Sequence, residues 1–466
     1  MRSNNNRRKR ILVIGGVAAG TSAASKAKRI DPNAEIKILQ EEPVVSYGAC
    51  GIPYVIEGVI DDFRELIERT ADEFKSKYDI DVIVNTQARK IDTVRKQVHA
   101  VDLKTNDELV FDYDSLIIAT GARAIIPKIK GIDNNRQGIF LVRNYGDGIR
   151  IKNSIQNINS CVIVGAGLIG IEMAEAFIKR GIDTTIVEMA DHVLPSILDN
   201  NNNSIANIVK RELEDNGVKI ILGERLEQVL GNGNNVKGIK TNKREMIATD
   251  FILLGTGVKP NSEIAKEAGI ELGFANAIRV DNHMRTNIRG IFAAGDCATA
   301  KNYITNKDDY LPLGTTANKQ GRVAGENAAG GGAIFKGIAG SAITKAFGLF
   351  IGKTGLSKEE ALDNGFEPVE KEIESITRSG YYPSSKSIWI KIVADKKSQR
   401  VLGAQIVGGE AVKGRIDLIA LALLLKANVS DLINYDACYV PPASPVWEPV
   451  NIAASQVAKL LISKDC

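Results

Sequence analysis

Two stretches of this chain repeat one design, and that repetition constrains the fold more than any other feature. RILVIGGVAAGTSAASKAKR leads into AEIKILQEE, and NSCVIVGAGLIGIEMAEAFIKR leads into DTTIVEMAD. Each reads as an apolar strand, a glycine turn, an alanine-rich helix and a second strand. At about thirty residues each is the size of a dinucleotide-binding half. A chain with two such units is laid out to hold two nucleotides. Its 466 residues suffice for two to four domains at roughly 100 to 200 residues apiece.

Composition narrows the class. Hydrophobic residues make up 44% and charged residues 25%, the balance of a soluble globular protein. Sixty Lys plus Arg against 56 Asp plus Glu leaves +4, too small an excess for a general nucleic-acid surface. The five cysteines (Cys50, Cys161, Cys297, Cys438, Cys466) form no CxxC pair, so neither a disulfide framework nor a metal site is expected. The basic opening followed by ILVIGG is too short in its apolar run to be an export signal, and LIALALLLKANV is too short to span a bilayer. The expectation is a cytoplasmic protein with no membrane segment.

The predicted architecture is α/β, with two Rossmann-like nucleotide-binding domains followed by an α+β domain. Boundaries are expected at 1–155 and 281–332 for the first nucleotide domain, 156–280 for the second, and 333–466 for the last. The final domain shows alternating strands (SIWIKIVAD, RVLGAQIVG) and a helical run (GRIDLIALALLLKAN) without a phosphate loop. Asn200–Asn203 and the GNGNN run from Gly231 read as exposed turns.

In the second unit Gly165, Gly167 and Gly170 fit G-x-G-x-x-G: a tight turn, room for a pyrophosphate, and close helix-on-strand packing. Glu188 ends the next strand, where a carboxylate can accept ribose hydroxyls. No Arg follows in 189–192 to receive a 2′-phosphate, so NADH is favoured and NADPH is the alternative. The first unit reads Gly15-Gly16-Val17-Ala18-Ala19-Gly20, with the middle glycine displaced, and its second strand ends in Gln40-Glu41. Thr120-Gly121 in DSLIIATGARA and Gly257 in TDFILLGTGVKPN mark turns after later strands. Gly295-Asp296 in IFAAGDCA places a carboxylate where a flavin ribitol would lie, a reading compatible with a helix N-cap.

SYGACGIPY sets Cys50 in a loop after the first unit, with Pro53 suited to the first turn of a following helix. A helix N-terminus can lower a thiol pKa and raise its thiolate fraction, so Cys50 is the candidate nucleophile. Cys161 and Cys297 sit in strand and turn cores and read as small buried hydrophobes.

The set GGVAAG, SYGACGIPY, the two ATG-like turns, FAAGDCA, LPLGTTANKQGRVAG, GYYP and YVPPASPVWEPV resembles the single-cysteine flavoprotein disulfide reductases. The likeness is to the coenzyme A disulfide reductase and NADH oxidase branch and covers nearly the whole chain. It implies a glutathione-reductase-like fold with an FAD domain, an inserted NAD domain and a C-terminal domain forming a homodimer. It further implies that Cys50 forms a mixed disulfide with coenzyme A, reduced by electrons passing from NADH through FAD. By the same likeness Tyr381 and Tyr439 of a partner subunit stand near the leaving sulfur, and Ser22, Lys26, Arg29 and Ser46 hold coenzyme A. Ser22, Lys26 and Arg29 also share one helical face by their spacing. The sequence departs from the pattern at Ala49, often Asn, at Ala443, often aromatic, and at Trp447, Lys in some members.

Two rivals stand beside this reading. An NADH oxidase or peroxidase would cycle Cys50 through sulfenic acid. Such relatives usually carry a histidine in the first glycine loop, whereas His99, His192 and His283 all lie elsewhere. A flavoprotein reductase of a ferredoxin or rubredoxin would not need Cys50.

Overall fold

A computed structural model describes residues 8–132, 137–199, 205–232 and 235–462. Asn200–Asn203, Cys466 and two residues of the GNGNN run lie outside them. The fold is α/β: among the described residues two five-stranded parallel sheets and one five-stranded antiparallel sheet are accompanied by four small antiparallel sheets of two or three strands.

The first parallel sheet orders its strands Ile291–Ala293, Ser115–Ile118, Arg10–Ile14, Glu35–Leu39 and Ile80–Ile83. The second orders Lys219–Leu222, Asp183–Glu188, Ser160–Val164, Phe251–Leu254 and Ile139–Phe140. Their central strands are almost wholly apolar because helices cover both faces. Cys161 lies in this packed interior, and Cys297 is equally buried.

An antiparallel ribbon, Val258–Pro260 on Ala122–Ala124, ties the two sheets together. Packing draws the limits of the units differently from the sequence-based boundaries. Ile139–Phe140, expected in the first domain, hydrogen-bonds into the second sheet. Ala265, Ile270 and Ile278, expected in the second, share a core with Leu12 and Ile14 of the first.

The C-terminal unit is a five-stranded antiparallel sheet ordered Ala342–Ala346, Leu349–Gly355, Val401–Gly408, Ser387–Asp395 and Pro368–Ile376. The helices Val412–Leu424 and Pro449–Ile462 pack on it. Among the described residues no helix is long and apolar enough to cross a membrane, and no cluster of His, Cys, Asp and Glu could hold a metal.

One contact fixes the first nucleotide loop. Helix Gly314–Ala328 lies against helix Ala18–Ile30 with Gly321 and Gly325 at the interface. A Cβ at Gly321 would stand 2.2 Å from the Ala19 carbonyl oxygen, and one at Gly325 would stand 2.0 Å from that of Ala23. Backbone cannot move aside as a flexible side chain can. Gly325→Ala is therefore expected to cost about 1 to 3 kcal/mol by overpacking, read as a lowered midpoint in thermal unfolding of the holoprotein.

Candidate active site

The two glycine loops are built alike. Gly15 and Gly165 both take positive φ, +103° and +109°, and donate their amides to the ends of neighbouring strands, Leu39 O and Val187 O, each at 2.8 Å. A Cβ at Gly15 would meet the Ala119 carbonyl oxygen at 2.1 Å, and one at Gly165 the Gly255 oxygen at 2.5 Å. Gly20 and Gly170 sit where any side chain would strike the carbonyl of the loop's first glycine, at 1.8 and 2.1 Å. Close approach excludes a side chain at all four positions, and positive φ adds a second demand for glycine at Gly15 and Gly165.

The side chains that close the second strands do the same work in both loops. Gln40 is buried, and its Oε1 accepts from the Gly16 amide at 2.8 Å while its Nε2 donates to Val44 O at 3.1 Å. Glu188 accepts from the amides of Ala166 and Ala190 at 2.6 and 2.8 Å. Each holds its loop open, a role the sequence did not reveal. Each Glu188 oxygen keeps acceptor capacity for a ribose hydroxyl. Glu41 points outward to Gln87, with Nε2 2.7 Å from its Oε1.

Cofactor fit is tested at the helix ends. Helices Ala18–Ile30 and Leu168–Lys179 begin with no side-chain cap and no acid in the first turn, so their first amides are left for an anion. Gly167 faces open space. Two nucleotide diphosphates fit this arrangement. The Thr120-Gly121 and Thr256-Gly257 turns are a second matching pair: their hydroxyls donate to Asn261 O and Ile125 O, each at 2.6 Å, across the ribbon that joins the sheets.

Asp296 lies in a turn after the last strand of the first sheet, with Gly295 at φ +84° and held by Gln320, whose Oε1 accepts from its amide at 2.8 Å. It caps no helix, since the next one begins at Gly314. Its carboxylate instead meets Arg143 Nη2 at 2.6 Å, and Arg143 Nε donates to Ala122 O at 2.7 Å. Sequence alone could not find Arg143, which no motif marks and which lies 153 residues from Asp296. Tyr310 donates its hydroxyl to the Asp296 carbonyl at 2.8 Å.

Cys50 is exposed, in a single helical turn Ala49–Gly51 that runs into helix Ile52–Glu57 with Pro53 in its first turn. The expected lowering of its pKa is not what the fold produces. Burial of the thiol's surroundings, then the carboxylates of Glu172 and Asp296, push it above the ordinary value, opposed by Arg143. A six-residue helix contributes too little field to reverse this.

Ser46 adopts φ +51° and joins the loop to its surroundings, its amide 2.8 Å from Gly16 O. On helix Ala18–Ile30, Ser22 donates to Asn318 Oδ1 at 2.6 Å and Lys26 pairs with Glu326 at 2.8 Å, both on the packed neighbouring helix; Arg29 is exposed. Tyr381 and Tyr439 lie 58 residues apart in sequence, and their hydroxyls meet at 3.0 Å. Both are exposed, at 76% and 44%. Hydrogen bonds from Tyr381 and Ser379 hold the Tyr439 phenol below its ordinary pKa. Ser444 and the buried Arg415 both donate to Glu448, which fixes the loop carrying Tyr439, Ala443 and Trp447.

Fold and site together define a class: an oxidoreductase with two dinucleotide loops and an accessible thiol. The model for the pyridine nucleotide-disulphide oxidoreductases matches residues 9–321, and that for their dimerisation domain matches residues 341–449. The chain belongs to the pyridine nucleotide-disulphide oxidoreductase family, whose members use FAD and NAD(P)H. It is 38% identical to an NADH oxidase of Methanocaldococcus jannaschii over 98% of this chain and 100% of that one. It is 36% identical to a CoA-dependent NAD(P)H sulfur oxidoreductase of Pyrococcus abyssi over 96% and 98%. The solved NAD-dependent persulfide reductase from A. fulgidus superposes with a TM-score of 0.93 at 36% identity, covering 97% of this chain and 83% of that one.

Arg143 is a cation that acts on the Cys50 thiol against the carboxylates. Arg143→Met should raise the Cys50 pKa, because it removes a cation and leaves Asp296 unpaired. Iodoacetamide alkylation of Cys50 at pH 7 should slow several-fold, on the order of 3- to 10-fold.

Proposed function

We propose that this protein reduces coenzyme A disulfide, or the related persulfide, with NADH through a single redox thiol at Cys50. The observation that carries the reading is that Cys50 is exposed in the turn leading into helix Ile52–Glu57, with the Arg143–Asp296 ion pair among the charges that act on it. The naming of the P. abyssi and A. fulgidus relatives supports a sulfur acceptor.

Gly15, Gly16, Ala19, Gly20, Gln40 and Glu41 would line the adenosine diphosphate half of FAD, with Thr120, Gly121, Gly295 and Asp296 toward its ribitol. Gly165, Gly167, Gly170, Glu188 and Gly257 would hold NADH. FAD, when bound, supplies the two-electron relay between nicotinamide and sulfur. The protein's own work is at the thiol. Cys50 thiolate attacks the disulfide, one sulfur bonds to Cys50, and the other leaves as a thiolate. Tyr381 and Tyr439 of the partner subunit in a homodimer would donate to that leaving sulfur. Ser22, Lys26, Arg29 and Ser46 would hold coenzyme A, with Lys26 exchanging Glu326 for a phosphate. The enzyme would act in the cytoplasm.

Purified enzyme treated with CoA disulfide should gain the mass of one coenzyme A, lost with dithiothreitol and absent in Cys50→Ser. Full CoA disulfide turnover by Cys50→Ser without an adduct would overturn the assignment.

Tyr439→Phe should slow CoA disulfide turnover about 100-fold, the order of losing one oxyanion donor, while stopped-flow reduction of the flavin by NADH keeps its rate. Equal slowing of both steps would remove the tyrosines from this role.

Oxygen is a second acceptor, favoured by the name of the M. jannaschii relative. His192 bonds Asp191 and Leu198 O, and His283 Nδ1 bonds Ala333 O, so the partners of both lie outside the first glycine loop and the Cys50 turn.

A further inference from the structure

Tyr47 is the aromatic residue of SYGACGIPY that precedes Cys50, and the roles assigned above leave it unused. Its ring is buried, and its hydroxyl donates to Glu42 Oε2 at 2.6 Å. Glu42 follows strand Glu35–Leu39, and its carbonyl accepts from the Asn85 amide at 3.3 Å. The carboxylate is therefore presented from fixed backbone.

Three donors meet on it. Besides the Tyr47 phenol, the Tyr145 amide at the start of helix Tyr145–Ser154 donates to Oε1 at 3.2 Å, and Gln40 Nε2 stands 3.4 Å from Oε2. Gln40 is the residue whose Oε1 braces the Gly16 amide of the first nucleotide loop. An ionised carboxyl offers acceptor sites only, and all three partners carry an N–H or O–H to give. The Tyr145 amide also stands 3.3 Å from the Tyr47 hydroxyl, and the two rings meet edge to face at 5.6 Å. Packing and hydrogen bonding hold the phenol in the same place.

The backbone around Tyr47 carries this anchorage to the thiol. The Ser46 amide donates to Gly16 O at 2.8 Å, the Gly48 amide to Leu66 O at 2.8 Å, and the Gly51 amide to Gly48 O at 2.9 Å, which closes the turn holding Cys50. Leu66 packs against that turn, since a Cβ at Gly51 would stand 2.3 Å from its Cδ2. Two paths thus join the Cys50 turn to the first nucleotide loop. One is main-chain, from Ser46 to Gly16. The other is side-chain, from Tyr47 through Glu42 and Gln40 to the same glycine.

Resting on the thiol chemistry proposed above, we propose that Glu42 is a positioning residue for Cys50: through Tyr47 it locks the turn carrying the thiol to the first nucleotide loop. In this role Glu42 touches neither the sulfur nor the nucleotide. A phenol-to-carboxylate bond is short and directional, so it fixes where the turn sits and does more than cover it.

The test is amide hydrogen exchange of the FAD-loaded enzyme, with CoA disulfide kinetics beside it. Tyr47→Phe keeps the ring and removes the hydroxyl. Exchange within residues 46–51 should rise about tenfold, the order expected for losing one hydrogen bond to a charged group. The matching loop of the second unit, residues 163–170, should keep its wild-type rate. The kcat for CoA disulfide should fall about tenfold with KM unchanged, while NADH reduces the flavin at its wild-type rate. Glu42→Gln leaves one acceptor oxygen, so its rise in exchange should be smaller, and it stands as the test if the first variant does not fold. The double variant should rise by less than the product of the two single effects, because the side chains act as one unit. Wild-type exchange at 46–51 in a folded Tyr47→Phe, a rise spread evenly over the chain, or single effects that multiply in full would each overturn the proposal. So would faster exchange at 46–51 with kcat intact. If wild type takes up no coenzyme A, the substrate assignment falls, and the exchange comparison still decides whether Glu42 locks the turn.

Discussion

The arrangement around the thiol depends on two helices meeting backbone to backbone. Helix Gly314–Ala328 can approach helix Ala18–Ile30 because Gly321 and Gly325 present no side chains to Ala19 and Ala23. That approach lets Gln320 reach the Gly295 amide, and the Gly295 turn puts Asp296 opposite Arg143. Widening the contact by one methyl group would displace the turn that carries a charge acting on Cys50. Small residues at a helix interface are usually read as packing. Here they also set electrostatics at a distance.

The two nucleotide loops show how one solution serves twice. The same positive φ, the same strand-end amide bond and the same glycine at the helix–strand contact recur at Gly15/Gly20 and Gly165/Gly170. The strand-end acceptor differs only in charge: Gln40 in one, Glu188 in the other. The neutral amide braces its loop as well as the acid does, so the displaced glycine of the first fingerprint does not weaken the geometry. A further pair, the Thr120 and Thr256 turns, locks the sheets across the ribbon from both sides.

Local patterns carried the α/β class, the paired loops and the placement of Cys50 just ahead of a helix, because glycine spacing, apolar strands and Pro53 report short-range geometry. What the residues alone hid was long-range. Arg143 meets Asp296 across 153 residues, and Thr344 meets Glu172 across 172. No spacing rule reaches that far. The Cys50 pKa went the other way from expectation for the same reason: the local helix was visible in the sequence, whereas the carboxylates around it come from other elements. The tyrosine pair was assigned through family likeness, and the 3.0 Å separation of its hydroxyls is a property of the fold. Limits of the units also eluded the reading, since Ile139–Phe140 crosses into the second sheet through a strand too short to leave a pattern.

The bare N-termini of helices Ala18–Ile30 and Leu168–Lys179 have a thermodynamic consequence. Neither end is completed by a side chain of its own, so a diphosphate bound as proposed would finish each helix in place of a capping side chain. Folding and loading are thereby linked by mass action: a ligand at a hundred times its dissociation constant adds about 2.7 kcal/mol to the folded state. With nucleotide bound as proposed, the stability of the fold would depend partly on its own residues and partly on nucleotide concentration.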